Sequence, residues 1–211
     1  MIVSFGEIES TALLAARGAG WSWGIAEDAG KSARWLARYG INWLPSFLAM
    51  LREKQTAADF DVDGQVVRAR TTSDLMPLLV GAYISDGGLK LPILINNVRF
   101  PVWLLPFAAL SSRQTRESVE MQWSEANVVL LPNGEPVFEA VRTRSFSDDR
   151  TDVRLTSKHI VNRRQPNEVS RGVQIDEGDW AKLEQFAHQT YVPASESSRK
   201  RGAGAGLADS D

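Results

Sequence analysis

Two segments near the start of the chain present only small side chains on one helical face, and this pattern constrains the fold more than any other feature of the sequence. Over residues 22–39, Ala26, Ala29, Gly30 and Ala33 recur at i, i+3, i+4 and i+7, the spacing of one face of an α-helix. Over residues 5–17, Thr11, Ala12, Ala15 and Ala16 form a matching stripe. Two faces without long side chains let helix backbones approach closely, so residues 5–40 are expected to form a tight helical hairpin. Ser4 and Glu7 have the spacing of a capping box, and Gly18-Ala19-Gly20 stops the first helix. Ser22 and Gly40 bracket the second. Asn42 is expected to cap a third helix, with Pro45 tolerated in its first turn and Leu44, Phe47, Leu48 and Leu51 as its apolar stripe.

The period then changes. Asp63-Gly64, between Phe60-Asp61-Val62 and Gln65-Val66-Val67, is a two-residue hairpin signal in which both turn positions favour positive φ. Ser73 is expected to cap a short helix running to Tyr83 and ending at Asp86-Gly87-Gly88. Residues 91–95 and 101–110 read as buried strands, weakened by Pro101 and Pro106. From Ser118 to Thr156 the alternation is clean, with Val119, Met121 and Trp123 on one face and Ser118, Glu120 and Gln122 on the other. Asn133-Gly134 turns residues 128–131 back into 137–141, and Asp148-Asp149 marks a further reversal. This reads as an antiparallel meander, and a last helix from Asp176 carries Trp180, Leu183, Phe186 and Ala187. Helices first, strands in the middle and a helix last predict an α+β fold: a helical hairpin and third helix on an antiparallel meander, with a C-terminal helix and a Gly/Ala-rich tail. Residues 1–192 are expected to form a single domain. The Ser-, Ala- and Gly-rich tail 193–211 is expected to be disordered, or docked on the domain or a partner.

Composition excludes several functions and names none. The chain of 211 residues has no cysteine, which removes disulfides, thiolate nucleophiles, iron–sulfur ligation and Cys-based zinc sites. His159 and His188 alone cannot make a His-rich metal site; no metal and no cofactor is expected. The net charge of -2 argues against a nucleic-acid partner. Residues 89–110, the most apolar stretch, are interrupted by Lys90, Asn96, Asn97 and Arg99, so no membrane span is expected. The start, Met1-Ile2-Val3-Ser4-Phe5-Gly6-Glu7, lacks a secretory signal, and a cytoplasmic location follows as the expectation.

Three short motifs match in letters and not in context. Gly20-Trp21-Ser22-Trp23-Gly24 has the pattern of a nucleophile elbow, but a helix precedes it where a strand is needed, and Ser22 reads more simply as a helix N-cap. Gly18-Ala19-Gly20 lacks the third glycine of a dinucleotide loop, where Trp23 stands. Asp59-Phe60-Asp61-Val62-Asp63-Gly64 resembles half of a calcium loop, but position twelve is Arg70 instead of Glu.

A basic stretch carries the strongest ligand signal. Arg142, Arg144, Arg150, Arg154, Lys158, Arg163, Arg164 and Arg171 outweigh Asp148, Asp149, Asp152 and Glu168 in a chain that is negative as a whole. Arg142 and Arg144 are two apart on a predicted strand, so their guanidinium groups leave the same face and can fork onto a carboxylate or phosphate. The simpler reading is a solvated face of Arg–Asp pairs. His159, beside these cations, would stay neutral near pH 7 and is a candidate general base, with Ser22 the other candidate for chemistry. Trp21, Trp23, Trp35 and Trp43 crowd the first 43 residues, and around a small-residue hairpin they can wall a pocket, build a core or make a dimer face.

The opening, Glu7-Ile-Glu-Ser-Thr-Ala-Leu-Leu-Ala-Ala-Arg-Gly-Ala-Gly-Trp-Ser-Trp-Gly-Ile-Ala-Glu-Asp-Ala-Gly, with the closing Thr190-Tyr-Val-Pro-Ala-Ser-Glu and Gly202-Ala-Gly-Ala-Gly, resembles a family of bacterial proteins of about this length catalogued as a domain of unknown function. The resemblance spans the chain, implies a stand-alone bacterial protein to which the tail belongs, and carries over no catalytic residue. The expected function is binding of a small anionic metabolite, between helical hairpin and sheet, through Arg142 and Arg144 with Trp21 and Trp23. The alternatives are an accessory protein docking a partner, or a second copy, through the apolar hairpin and tail, and a small acid–base hydrolase or isomerase.

Overall fold

The computed structural model describes residues 1–53, 60–70, 75–87, 90–124, 126–140, 150–158 and 172–190. Strand β1 (Ile2–Ser4) runs directly into helix α1 (Phe5–Gly18), whose cap is the expected one: the Ser4 hydroxyl accepts from the Glu7 backbone N–H at 3.2 Å. Helix α2 (Trp23–Arg38) returns along α1, and Ala26, Ala29, Gly30 and Ala33 are buried on it, as Ala12, Ala15 and Ala16 are on α1. The approach is so close that a Cβ on Gly30 would lie 2.6 Å from the Glu9 carbonyl oxygen. Helix α3 (Leu44–Arg52) follows, with Pro45 in its first turn. Trp43, not Asn42, occupies its N-cap, and no side chain caps it.

Strands β2 (Phe60–Asp63) and β3 (Val66–Ala69) form the expected hairpin, one residue out of the expected register. Asp63 pairs with Val66, so the turn is Gly64-Gln65 and Gly64 alone carries the positive φ, at 59°. Helix α4 (Pro77–Ser85) starts at Pro77, four residues after the expected cap at Ser73, because proline needs no N–H partner in a first turn. Strand β4 (Ile93–Val98) leads to the largest departure. Residues 101–110 are helical and not a strand: a 3-10 turn (Pro101–Leu104) enters helix α5 (Leu105–Thr115). Pro101 and Pro106 each take a first-turn position there, so the residues that weaken a strand start helices.

Strands β5 (Ser118–Trp123), β6 (Ala126–Leu130) and β7 (Pro136–Ala140) meander as expected, but β8 (Thr151–Lys158) does not follow β7. It lies between β4 and β5, giving one sheet of order β2-β3-β4-β8-β5-β6-β7, antiparallel except for β3 against β4. The meander ends at β7, and β8 pairs antiparallel with both β5 and β4, the latter with a register shift between Ile95 and Val98; the reversal expected at Asp148-Asp149 lies outside the described residues. Strand β9 (Gly172–Gln174) pairs with β1 in a separate two-stranded ribbon, and α6 (Glu177–His188) begins where Asp176 accepts from the Asp179 N–H at 2.9 Å. The molecule is therefore α+β, with a mostly antiparallel sheet.

Helix α1 is clasped between α2 and α6, while α5 lies on β5 and β6 and touches α2 and α4. Between these layers Phe47 stacks on Trp103 at 5.1 Å, with Trp21 and Trp43 against Phe47 at 5.9 and 5.8 Å. Trp103 is fully buried and its indole N–H donates to Ser46 Oγ at 2.9 Å; the Ser46 hydroxyl donates on to the Trp43 carbonyl at 2.8 Å. Each large apolar side chain buried here is worth about 1.5–3 kcal/mol. Among the described residues no helix is long and apolar enough to cross a membrane.

Candidate functional site

Helices α2 and α5 part on one side to leave a cleft of about 280 Å³, close to the lower end of the ~300–1,000 Å³ range of small-molecule sites. Asp28, Lys31, Ser32 and Trp35 line it from α2, at i, i+3, i+4 and i+7, so the face turned toward α5 is a single helical stripe. Pro106, Phe107, Ala109, Leu110 and Arg113 line it from α5. The walls are mainly apolar. Leu110 leaves 42% of its surface exposed beside them, a large apolar residue that no neighbour covers.

Two neighbouring features hold these walls in place. Phe107 is fixed from behind by Gly81 of α4, where a Cβ would run into the aromatic ring. Arg113 is seated by the Asn133-Gly134 turn of the β6–β7 connection. Its Nε donates to the Asn133 carbonyl at 2.8 Å, and a side chain on Gly134, whose φ is +79°, would collide with the guanidinium. Arg113 makes no ion pair among the described residues.

The electrostatics differ along the cleft. Burial pushes the half-buried Asp28 carboxyl above its ordinary range; Lys31 opposes this, and Asp86 and Glu27 add to it. Lys31 itself reaches Glu27, one turn away on the same helix, at 3.6 Å. At the other end Trp35 leans on Tyr39, with ring centroids 4.6 Å apart. Burial raises the Tyr39 phenol; Arg38 and Arg113 pull it down and Glu135 pushes it up. Trp35 Nε1 is buried without a hydrogen-bond partner among the described residues, a state that costs about 1–3 kcal/mol for a neutral donor.

Of the residues singled out in the sequence, Trp35 lines the cleft, and the others lie elsewhere. Trp21 is 2% exposed, edge-on to Phe47 in the core, and does not line the cleft. Trp23 is 61% exposed at the start of α2, with the Arg17 guanidinium 4.6 Å above its ring, while Arg17 also donates to the Trp21 carbonyl. Ser22 is exposed at the α2 N-cap in ordinary extended dihedrals, and its side chain makes no capping bond. It lies between two helices, without the strand of a nucleophile elbow. Arg142, Arg144 and His159 lie outside the described residues, as does Asp59 of the half calcium loop; Asp61 of that loop pairs with Arg70 at 2.7 Å. No cluster of carboxylates and histidines that could hold a metal occurs among the described residues.

From the described part of the basic stretch, Lys158 joins a network on the sheet. Its Nζ donates to Glu120 at 2.7 Å and Glu139 at 2.8 Å, and Asn127 Nδ2 donates to the same two oxygens at 2.9 and 3.1 Å. Lys158 is thus paired, and Arg163, Arg164 and Arg171 of the stretch lie outside the described residues.

The α5 wall is not legible in the sequence because residues 101–110 read as a strand, which puts Phe107 and Leu110 on opposite faces and leaves out Arg113. The overlooked signal was the pair of first-turn prolines. No curated protein and no solved structure matches the chain. Over residues 3–73, which include α1–α3 and the α2 wall of the cleft but not the α5 wall or the closing motif after Thr190, the chain is similar to the family described as "Protein of unknown function (DUF3726)".

Proposed function

We propose that this protein binds a small anionic molecule with an apolar body in the cleft between α2 and α5. The observation that carries this reading is an open apolar concavity, walled by Trp35, Phe107 and Leu110, beside an arginine that is seated by a turn yet has no acidic partner among the described residues. A planar guanidinium with free N–H groups is suited to a carboxylate or phosphate. The site lies between hairpin and sheet-bound helix, and Arg113 takes the role that the sequence suggested for Arg142 and Arg144.

A thermal-shift screen of the full chain against carboxylates and phosphates of graded apolar size tests it. A ligand at a hundred times its Kd stabilises the native state by about 2.7 kcal/mol, roughly 5–10 °C for a chain of this size. The shift is expected to vanish in Arg113→Ala and Trp35→Ala. A shift retained in Arg113→Ala but lost in Arg142→Ala or Arg144→Ala would refute the cleft and restore the basic stretch; no shift from any probe would refute anion binding.

The exposure of Trp23 favours a second reading, docking of a protein partner at the α1–α2 turn. On that reading Trp23→Ala, or removal of residues 193–211, abolishes complex formation and leaves ligand binding intact.

A further inference from the structure

The cleft has two poles. Asp28 stands at one end, near enough to Asp86 for their charges to act on each other, and Arg113 stands at the other, near Tyr39. Between them the walls are Trp35, Phe107 and Leu110. Along α2 the rise from Asp28 to Trp35 is about 10 Å, at ~1.5 Å per residue, with Lys31 and Ser32 lining the cleft between them and the apolar Pro106, Phe107, Ala109 and Leu110 lining it from α5.

An anion with a purely apolar body uses only the Arg113 end. It offers Asp28 no partner, while burial and the charges of Asp86 and Glu27 oppose its ionisation and Lys31, drawn toward Glu27, offsets them only in part. A ligand that places a cation there removes this conflict. Resting on the anion-binding reading above, we propose that the ligand is an extended zwitterion: its carboxylate is held by Arg113, its hydrocarbon body lies against Trp35, Phe107 and Leu110, and its protonated amine is held by Asp28. The class is an amino acid whose amine and carboxylate stand at opposite ends of a chain, not on one carbon. Burial holds the Asp28 proton affinity up against the opposing charge of Lys31, and a bound amine would draw it down.

The experiment compares 8-aminooctanoate, octanoate and octylamine by calorimetric titration of the full chain, in the wild type and in Asp28→Asn and Arg113→Gln, each checked for folding by its melting curve. 8-Aminooctanoate is expected to bind roughly tenfold more tightly than octanoate, the value of one charge-assisted hydrogen bond in a partly exposed site. Asp28→Asn is expected to erase that difference, and Arg113→Gln to weaken both carboxylates. Octanoate binding as tightly as 8-aminooctanoate would overturn the zwitterion and leave the anion site standing. Octylamine binding alone, indifferent to Arg113→Gln, would overturn both, as would the failure of all three probes to bind.

Discussion

Gly30→Ala is the sharpest test of the hairpin, because two effects of known size oppose each other there. In an exposed helix interior alanine is more stable than glycine by about 0.5–1 kcal/mol, since it has less backbone freedom to lose. At Gly30 the new methyl would lie 2.6 Å from the Glu9 carbonyl oxygen and 3.2 Å from Leu13 Cβ. The obstacle at 2.6 Å is helix backbone, not the end of a flexible side chain, so α1 and α2 must separate along their small-residue seam. Overpacking of this kind costs about 1–3 kcal/mol and outweighs the gain. Gly24 is the control: it lies on the same helix, exposed, and a Cβ there meets nothing within 4 Å. Gly24→Ala should therefore be neutral or stabilising. The gap between the two variants isolates the steric cost, about 1–3 kcal/mol, and in thermal melts it should appear as roughly 2–12 °C. A Gly30→Ala protein that melts at or above Gly24→Ala would refute the close approach and, with it, the reading of the alanine stripes as a backbone contact.

Three further outcomes follow from other contacts. Ser4→Ala should destabilise by about 1 kcal/mol in urea unfolding, because the α1 cap bond is lost, whereas Ser22→Ala, whose side chain caps nothing, should cost a few tenths at most. Gly81→Ala should lower ligand affinity through Phe107, whose ring it would displace into the cleft; unchanged affinity in a folded variant would remove Phe107 from the site. Lys158→Met should show a pH signature. Burial raises the Glu120 carboxyl, but bonds from Lys158 and Asn127 outweigh it and hold it below its ordinary value, while bonds to Glu120 and Glu139 raise Lys158. A depressed carboxylate stabilises above its unfolded pKa, about 4.3, and loses this as pH falls through the folded value; a raised lysine stabilises below about 10.4 and loses this as pH rises through its folded value. The stability difference between wild type and Lys158→Met should thus be widest between those limits and narrow beyond both, and a difference that ignores pH would contradict the network.

What could be read in advance was local. The Ser4 cap, the alanine stripes and the Asp176 start of α6 each depend on residues within two turns of one another, and each stands where expected. Residues 101–110 were misread because an apolar run has no period that separates a buried strand from a buried helix, and proline breaks one while it starts the other. The three-residue ladder between β1 and β9 pairs Ile2–Ser4 with Gly172–Gln174, from opposite ends of the described chain, and left no trace in the pattern. The cleft was hidden for a related reason. Asp28, Lys31 and Trp35 are visible as one helical stripe, but what makes that stripe a wall is Phe107 and Arg113, which arrive from a distant helix seated by a turn more distant still.

The placement of β8 sets an order of assembly. As the chain is synthesised, β2, β3 and β4 can associate, and β5, β6 and β7 can meander, but the two groups have no hydrogen bonds to one another until residues 151–158 emerge and slide between them. Until then each half-sheet offers an open edge to any passing strand, and an unpaired edge is where chains aggregate. The same late stretch of sequence brings α6, which closes on α1 at the opposite end of the chain. Truncation before residue 151 should therefore yield insoluble material, even though most of the apolar core is already encoded.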